Sequence, residues 1–281
     1  MNRRSWFKAA LPSALLLATA AAAAQVPPAA QAKLEEAGRH FTSADRMAQS
    51  GNRGGAIAFA YRALKAVEEA RAAGAPAAQI DPGLRMIQAD LGDWLVAEKK
   101  WDEARSLFRQ MAASSSGALT DYFRIRALKG LITADAAVGD VSAVRASLAQ
   151  LVGTGRAMLA KDPKNVFLTR QLAEFLEADT VLRYWTGDAE PAMRATAMET
   201  LTLFRAVAAA NPDSAEAKRA QFVWAWRNAR ITNAVPLWQE AVETGEWLEH
   251  RRELKKYGGE LAEAKRKMAA YERKGMINLS D

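Results

Sequence analysis

The sequence lacks the residues on which many enzyme chemistries depend. Its 281 residues include no cysteine and only two histidines, His40 and His250. This excludes a cysteine and histidine zinc site, a thiol nucleophile and a triad that uses more than one imidazole. No P-loop is present, and the run Gly153-Thr154-Gly155 lacks the third glycine of a dinucleotide-binding motif. We therefore expect a protein that is not an enzyme, with no catalytic residue, no cofactor and no metal.

Helix-breaking residues are scarce as well. The chain holds 17 glycines and 9 prolines, whereas 62 residues are alanine, the strongest helix former. Apolar residues recur three and four positions apart, as in Leu84, Ile87 and Leu91, and do not alternate as in a strand. These patterns predict an all-α protein. Because each helix carries one apolar stripe, neighbouring helices must stack to bury it.

The formal net charge of +7 is concentrated at the two ends of the chain. Residues 251–275 hold nine basic and four acidic side chains, whereas residues 25–250 hold equal numbers of each. Nucleic-acid binding requires a basic face on the folded body, so we expect no nucleic-acid partner. The tail is predicted to be helical, with a break at Gly258-Gly259. It either caps the stack with an apolar stripe or contacts anionic envelope polymers or lipid headgroups through its basic strip. We favour the cap.

Residues 1–24 have the pattern of a cleavable export signal. A cationic start is followed by an apolar run and then by small residues. The apolar run is shorter than the roughly 20 residues that span a bilayer, so we expect no transmembrane segment in the mature protein. Cleavage after Ala24 is the first choice and cleavage after Ala32 the second. Paired arginines near the start leave the general and the twin-arginine export routes open, and residues 25–34 are predicted to be a linker.

Helix breaks divide the rest of the chain into units of 40 to 48 residues. One set of breaks lies within the units, at Gly51-Asn52, Lys99-Lys100, Gly139-Asp140, Gly187-Asp188 and Val235-Pro236. A second set lies between the units, at Ala75–Pro82, Ser114–Gly117, Lys161–Pro163 and Asn211–Pro212. The pattern predicts about five antiparallel helix hairpins over residues 35–235, followed by C-terminal helices over 236–281. Pro163 and Pro212 are predicted to be first residues of their helices.

One unit carries a recognisable signature, made of Leu91-Gly92, Leu95, Trp101, Ala104 and Phe108. These spacings resemble the tetratricopeptide repeat, in which a small residue in the first helix lets the second helix approach and a later aromatic residue fills the gap. The segment 161–210 resembles the longer-hairpin variants of that family. The resemblance implies an α-solenoid whose first helices line a concave surface that binds a protein partner.

Family members that grip a terminal carboxylate use lysine and asparagine at fixed first-helix positions. Here those positions carry Phe41, Asp45, Ala89 and Asp93. We therefore do not expect this mode of binding.

Five first-helix residues are predicted to contact a partner. Arg126 and Lys129 form a basic spot that an acidic group could use. Tyr184, Phe222 and Trp226 are aromatic, as in many binding hot spots. For the aromatic residues around Phe222 and Trp226, the alternative interpretation is burial between hairpins and under the C-terminal helices, and we favour it.

Two pairs of carboxylates lie three residues apart, Asp90 with Asp93 and Glu174 with Glu177. Such pairs can perform acid and base catalysis. They are also common on exposed helix faces, and we interpret both as solvated surface.

The sequence thus predicts a periplasmic or otherwise exported scaffold or adaptor that binds a protein on its concave surface. An accessory subunit of an envelope enzyme, transporter or assembly complex is the alternative. A carboxylate-dependent hydrolase of an envelope polymer is less favoured, because it would need a deep cleft with convergent carboxylates of perturbed pKa.

The partner-contact prediction has a direct test. Trp226→Ala combined with Arg126→Glu is expected to weaken partner capture from envelope extracts without lowering thermal stability. Retention of the partner would contradict the groove assignment.

Overall fold

The fold is all-helical, as predicted. The computed structural model describes residues 26–113 and 118–277, so the expected export signal and the expected linker at Ser114–Gly117 lie outside the described residues. Within those two ranges the chain forms eleven helices and no strand. They are α1 (Pro28–Gln49), α2 (Arg53–Ala72), α3 (Ala77–Ala97), α4 (Trp101–Ala112), α5 (Ala118–Ala137), α6 (Val141–Lys161), α7 (Val166–Trp185), α8 (Glu190–Ala210), α9 (Ala215–Thr232), α10 (Val235–His250) and α11 (Gly258–Lys274).

The helices belong to two compact units, and the boundary falls inside α3, between Ile87 and Gln88. In the first unit, α1 and α2 pack closely because their facing stripes are built from alanine. Ala30, Ala37 and Ala44 recur every seven residues along α1, and all three are buried. Helix α1 begins at Pro28, inside the segment 25–34 that we predicted as a linker. A proline suits this position because the first-turn N–H groups have no intrahelical partner.

In the second unit, each helix from α4 to α11 packs against the next one along the chain. This is the packing order of an α-solenoid, and it follows from the single apolar stripe on each helix.

The internal turns predicted at Gly51, Gly139 and Gly187 are present, and all three glycines have a positive φ that favours glycine.

Phe108 of α4 holds three helices together at the signature unit. Its side chain is fully buried between glycines of α3 and α5. A Cβ atom added at Gly92 or at Gly130 would lie 2.3 Å from the Phe108 ring. The expectation that Gly92 lets the following helix approach closely is therefore confirmed. Gly130 of α5 leaves the same room for the ring on its other side, and this role was not predicted from the sequence.

Arginine side chains join successive hairpins of the second unit by ion pairs with aspartates at or near their turns. Arg105 of α4 donates from Nε to Asp135 Oδ1 at 2.6 Å and from Nη2 to Asp140 Oδ2 at 2.9 Å, at the turn between α5 and α6. Forty residues on, Arg145 of α6 donates to both carboxylate oxygens of Asp188 at 2.7 Å, at the turn between α7 and α8. We call these contacts the turn clasps.

The connections between hairpins differ from the prediction in where the helices begin. Pro163 and Pro212 are not first helical residues, because each lies in a turn that precedes a capping residue. Asn165 caps α7 by accepting from the Leu168 N–H at 3.1 Å, and Ser214 caps α9 in the same way at Ala217.

Two further boundaries were also placed wrongly. Helix α3 begins at Ala77, so Pro82 lies inside it and not in the connection before it. In the tail, the interruption spans residues 251–257, where Arg252 and Lys255 adopt positive φ. Gly258 is instead the first residue of α11.

Helix α11 packs as a C-terminal cap. Leu254, Leu261 and Ala264 are buried in the cluster formed with α8, α9 and α10, and Tyr257, Met268 and Tyr271 pack against it. Contact of the basic strip with an envelope polymer or lipid stays a prediction.

Packing around Phe108 leads to the first prediction about stability. Gly92→Ala should destabilise the protein by about 1–3 kcal/mol, because the new methyl group has no room beside the buried ring. Gly153→Ala is the matched control: it lies inside α6, and a Cβ there meets nothing within 4 Å. This control should gain up to about 1 kcal/mol from helix propensity. Urea unfolding of both variants measures the two effects, and equal stabilities would contradict the packing account.

A second prediction concerns the turn clasp at Asp188. Hydrogen bonds from Arg145 and Thr186 lower the pKa of this carboxyl from 3.8 to about 2. A depressed pKa stabilises the fold above the unfolded value, and that stabilisation is lost as pH falls from 3.8 towards about 2. The thermal midpoints of wild type and Asp188→Asn should therefore converge over this interval. Asp102→Asn, whose side chain is 96% exposed, should show no such convergence.

Candidate functional site

Charged side chains link alternate helices across one face of the second unit. Arg126 of α5 reaches Asp90 and Asp93 of α3, each at 2.6 Å. Further along, Arg227 of α9 reaches Glu177 of α7 at 3.4 Å. We call this set of contacts the first-helix ladder, because its members lie on the first helices of the hairpins. Of the five predicted contact residues, only Arg126 takes part in this ladder, and its charge is compensated there by Asp90 and Asp93.

Arg126 is therefore not a free basic group. Burial alone would lower its pKa, yet the carboxylates of Asp93 and Asp90 raise the pKa above its usual value. The two aspartates lie on a solvated face, as interpreted from sequence, with side chains 31% and 53% exposed, but both are paired with Arg126. Lys129, one turn further on, is exposed and lies 5.7 Å from the centre of the Phe175 ring.

The predicted aromatic residues have different surroundings. Phe222 is fully buried and packs edge-on against Tyr257, with ring centres 6.1 Å apart, so it does not line a groove. Trp226 is half-buried and donates from Nε1 to Glu263 of α11 at 2.8 Å. For these two residues the alternative interpretation, burial between helices, describes their surroundings better.

Of the three aromatic residues predicted to contact a partner, Tyr184 is the exposed one. It is 49% exposed at the end of α7, seven positions after Glu177 and thus on the same side of the helix. Its neighbour Trp185 is 78% exposed and packs edge-on against it at 5.6 Å. Trp185 was not among the residues predicted from sequence, although its position beside a turn-forming Thr186-Gly187 was a signal for exposure.

A cleft of about 280 Å³ opens between α7, α8 and α9 and the segment before α11. Its lining combines three glutamates, two arginines and three aromatic rings. The residues are Glu174, Glu177, Phe204, Glu216, Arg219, Ala220, Val223, Trp224, Arg227 and Tyr257. None of the five predicted contact residues belongs to this lining, although Glu174 and Glu177 were noted as a pair.

The charges in the cleft are unequally compensated. Arg219 is held by Glu253, through the carboxylate at 2.8 Å and the backbone carbonyl at 3.2 Å. Glu174 accepts from Arg170 at 3.2 Å. Glu177 has a side chain only 23% exposed, and its contact with Arg227 is longer, at 3.4 Å. Burial raises the pKa of Glu177, and Arg227 only partly opposes this. The interpretation of this glutamate as solvated surface is therefore wrong.

Aromatic side chains form the buried wall of the cleft. Trp224 is 1% exposed and packs on Phe204, with ring centres 5.4 Å apart. Its indole Nε1 has no hydrogen-bond acceptor among the residues that the structure describes. The arrangement can hold a cation, which would be attracted by carboxylates and by the faces of aromatic rings.

Fold and packing place the chain in a class of all-helical proteins whose helices pack in chain order, compatible with a helical repeat. Comparison with family models and with curated proteins finds no match for the chain. In the described residues, no helix is both long enough and apolar enough to cross a membrane.

The environment of Arg126 leads to a third prediction, which revises the test proposed from sequence. Arg126→Glu should lower stability by about 1.5–3 kcal/mol, because it removes charged hydrogen bonds and adds a third carboxylate beside Asp90 and Asp93. Lys129→Glu, at an exposed position on the same helix, should change stability by no more than about 0.5 kcal/mol. Chemical denaturation compares the two variants. If Arg126→Glu is as stable as wild type, the ladder does not contribute to the fold.

Proposed function

We propose that this chain is an exported scaffold or adaptor of the bacterial envelope, which binds a protein partner on the first-helix face of its second unit. The observation that supports the proposal is a preorganised surface. The first-helix ladder and the packed hairpins hold an exposed aromatic pair, Tyr184 and Trp185, and a charged cleft in fixed positions. A surface that needs little ordering loses less free energy when a partner docks. Of the five residues predicted from sequence, Tyr184 and Lys129 keep this role, and Trp185 and the cleft take the place of Arg126, Phe222 and Trp226.

The tetratricopeptide-like nature of the repeats is part of this proposal. The contact between Gly92 and Phe108 supports it, since this is the close approach that the resemblance implies. The hairpin of α7 and α8, whose helices have 20 and 21 residues, supports the comparison with longer-hairpin variants.

Export of the chain is also a proposal, and it has a consequence for maturation. Cleavage after Ala32 would remove the first turn of α1, including the buried Ala30, whereas cleavage after Ala24 leaves α1 complete. We therefore expect the mature protein from the envelope fraction to begin at Gln25. Intact-mass measurement and N-terminal sequencing test this, and a mature chain that begins at Lys33 would contradict it.

Capture of a partner tests the scaffold function. After chemical crosslinking in intact cells, the tagged chain should recover a defined envelope protein, and Tyr184→Ala should reduce recovery severalfold. Tyr61→Ala is the matched control, because this tyrosine is similarly exposed, at 44%, but lies on α2 in the first unit. Equal recovery by both variants would contradict the assigned face. Recovery of an envelope enzyme or transporter would favour the accessory-subunit alternative.

A hydrolase remains the second candidate function, and the cleft favours it. An acid whose pKa is raised by burial, close to a carboxylate paired with arginine, is the kind of environment that separates acid and base roles. Purified protein should then release products from peptidoglycan or a glycan, and Glu177→Gln should abolish release. Failure of wild type to act on these polymers would remove this candidate.

A further inference from the structure

The cleft between α7 and α9 has the size of a receptor for one side chain. Its volume, about 280 Å³, lies below the roughly 300–1,000 Å³ of sites for drug-sized ligands. We propose that this cleft accepts a basic side chain, lysine or arginine, presented by the protein partner. The inference rests on the proposed scaffold function and specifies the chemistry of its partner.

Charge complementarity identifies the occupant. Among the side chains that line the cleft, three are acidic and two are basic. One of the two, Arg219, is already bound by both the carboxylate and the backbone carbonyl of Glu253. Glu216 is 75% exposed at the rim, where Arg170 is 3.4 Å away. The lining therefore has an excess of negative charge that an incoming cation can reach.

Among the three glutamates of the cleft, Glu177 would be stabilised most by a second cation. It has lost much of its hydration, and a desolvated carboxylate is stabilised mainly by close charged hydrogen bonds. Its contact with Arg227 is 3.4 Å, longer than the usual 2.7–2.9 Å of such bonds. Arg227 itself is 58% exposed. An incoming lysine or arginine can therefore form a shorter contact with Glu177 than the one it replaces.

The aromatic wall suits the same occupant. The long stem of a lysine or arginine is apolar and can lie along Phe204 and Tyr257, while its charged end pairs with a carboxylate. Trp224 lies at the buried end of the cleft, so its indole N–H reports on the local electric field when a charge enters. An acidic side chain would repel Glu177, and an uncharged donor would form weaker hydrogen bonds with it than a cation.

Nuclear magnetic resonance on the full mature chain tests the proposal without knowledge of the partner. The probe is a blocked glycine-arginine-glycine tripeptide, and the signal is the Trp224 indole N–H, assigned with Trp224→Phe. The arginine peptide should shift this resonance in a saturable manner, with an affinity that falls at high salt. The same peptide with citrulline, which has the shape of arginine but no charge, should bind about tenfold more weakly.

Two variants with opposite expected effects separate recognition from a merely structural role. Glu177→Gln keeps the shape of the side chain and should weaken binding of the arginine peptide about tenfold. Arg227→Gln removes the internal competitor for Glu177 and should strengthen it. Glu199→Gln, which alters an ion pair between α6 and α8 outside the cleft, should change nothing. The proposal is overturned if the citrulline peptide binds equally well, if no saturable shift occurs, or if the Glu177 and Arg227 variants change affinity in the same direction.

Failure of this inference can be told apart from failure of the scaffold function. If a partner is recovered from cells but Glu177→Gln recovers it equally well, the scaffold function stands and the cleft assignment falls. If the peptide binds as expected but no partner is recovered, the cleft is a cation site and the scaffold function falls.

Discussion

The structure depends on the close approach of helices whose contact surfaces are made of small residues. Alanine side chains bury little apolar area, so a helix rich in alanine gains stability only if its neighbour comes very near. The glycines at 92 and 130 allow a still closer approach of the helices, because they leave room for the whole Phe108 ring. Once the backbones are this close, charged side chains on one hairpin can reach the turn of the next. The turn clasps and the ladder therefore follow from the same constraint as the core.

A feature of the fold could be predicted from the sequence where it depends on the local requirements of one residue. The glycines at 51, 139 and 187 were correctly placed at turns, because a positive φ is a local requirement that glycine meets. Pro163 and Pro212 were misplaced because proline suits both a first helical turn and the turn before it. Asn165 and Ser214 decide between the two positions through their capping hydrogen bonds.

Prediction of the site was less successful because its parts are distant in sequence. Arg126 and its two aspartates are more than thirty residues apart, so the sequence displays the basic group without the acids that neutralise it. Phe222 and Trp226 share a helix face in the sequence, as predicted, but only the placement of α11 determines that this face is covered. The raised pKa of Glu177 likewise results from burial that helix periodicity alone does not reveal.

Each turn clasp joins an arginine on the second helix of one hairpin to an aspartate at the turn of the next. The hairpin of α5 and α6 carries both parts, since Asp140 receives Arg105 and Arg145 extends to Asp188. This hairpin therefore carries an aspartate that accepts from the previous hairpin and an arginine that donates to the next one. A duplicated copy of this hairpin, inserted beside it, would form the same arginine–aspartate contacts with both of its neighbours. This gives the architecture a simple route to lengthening during evolution.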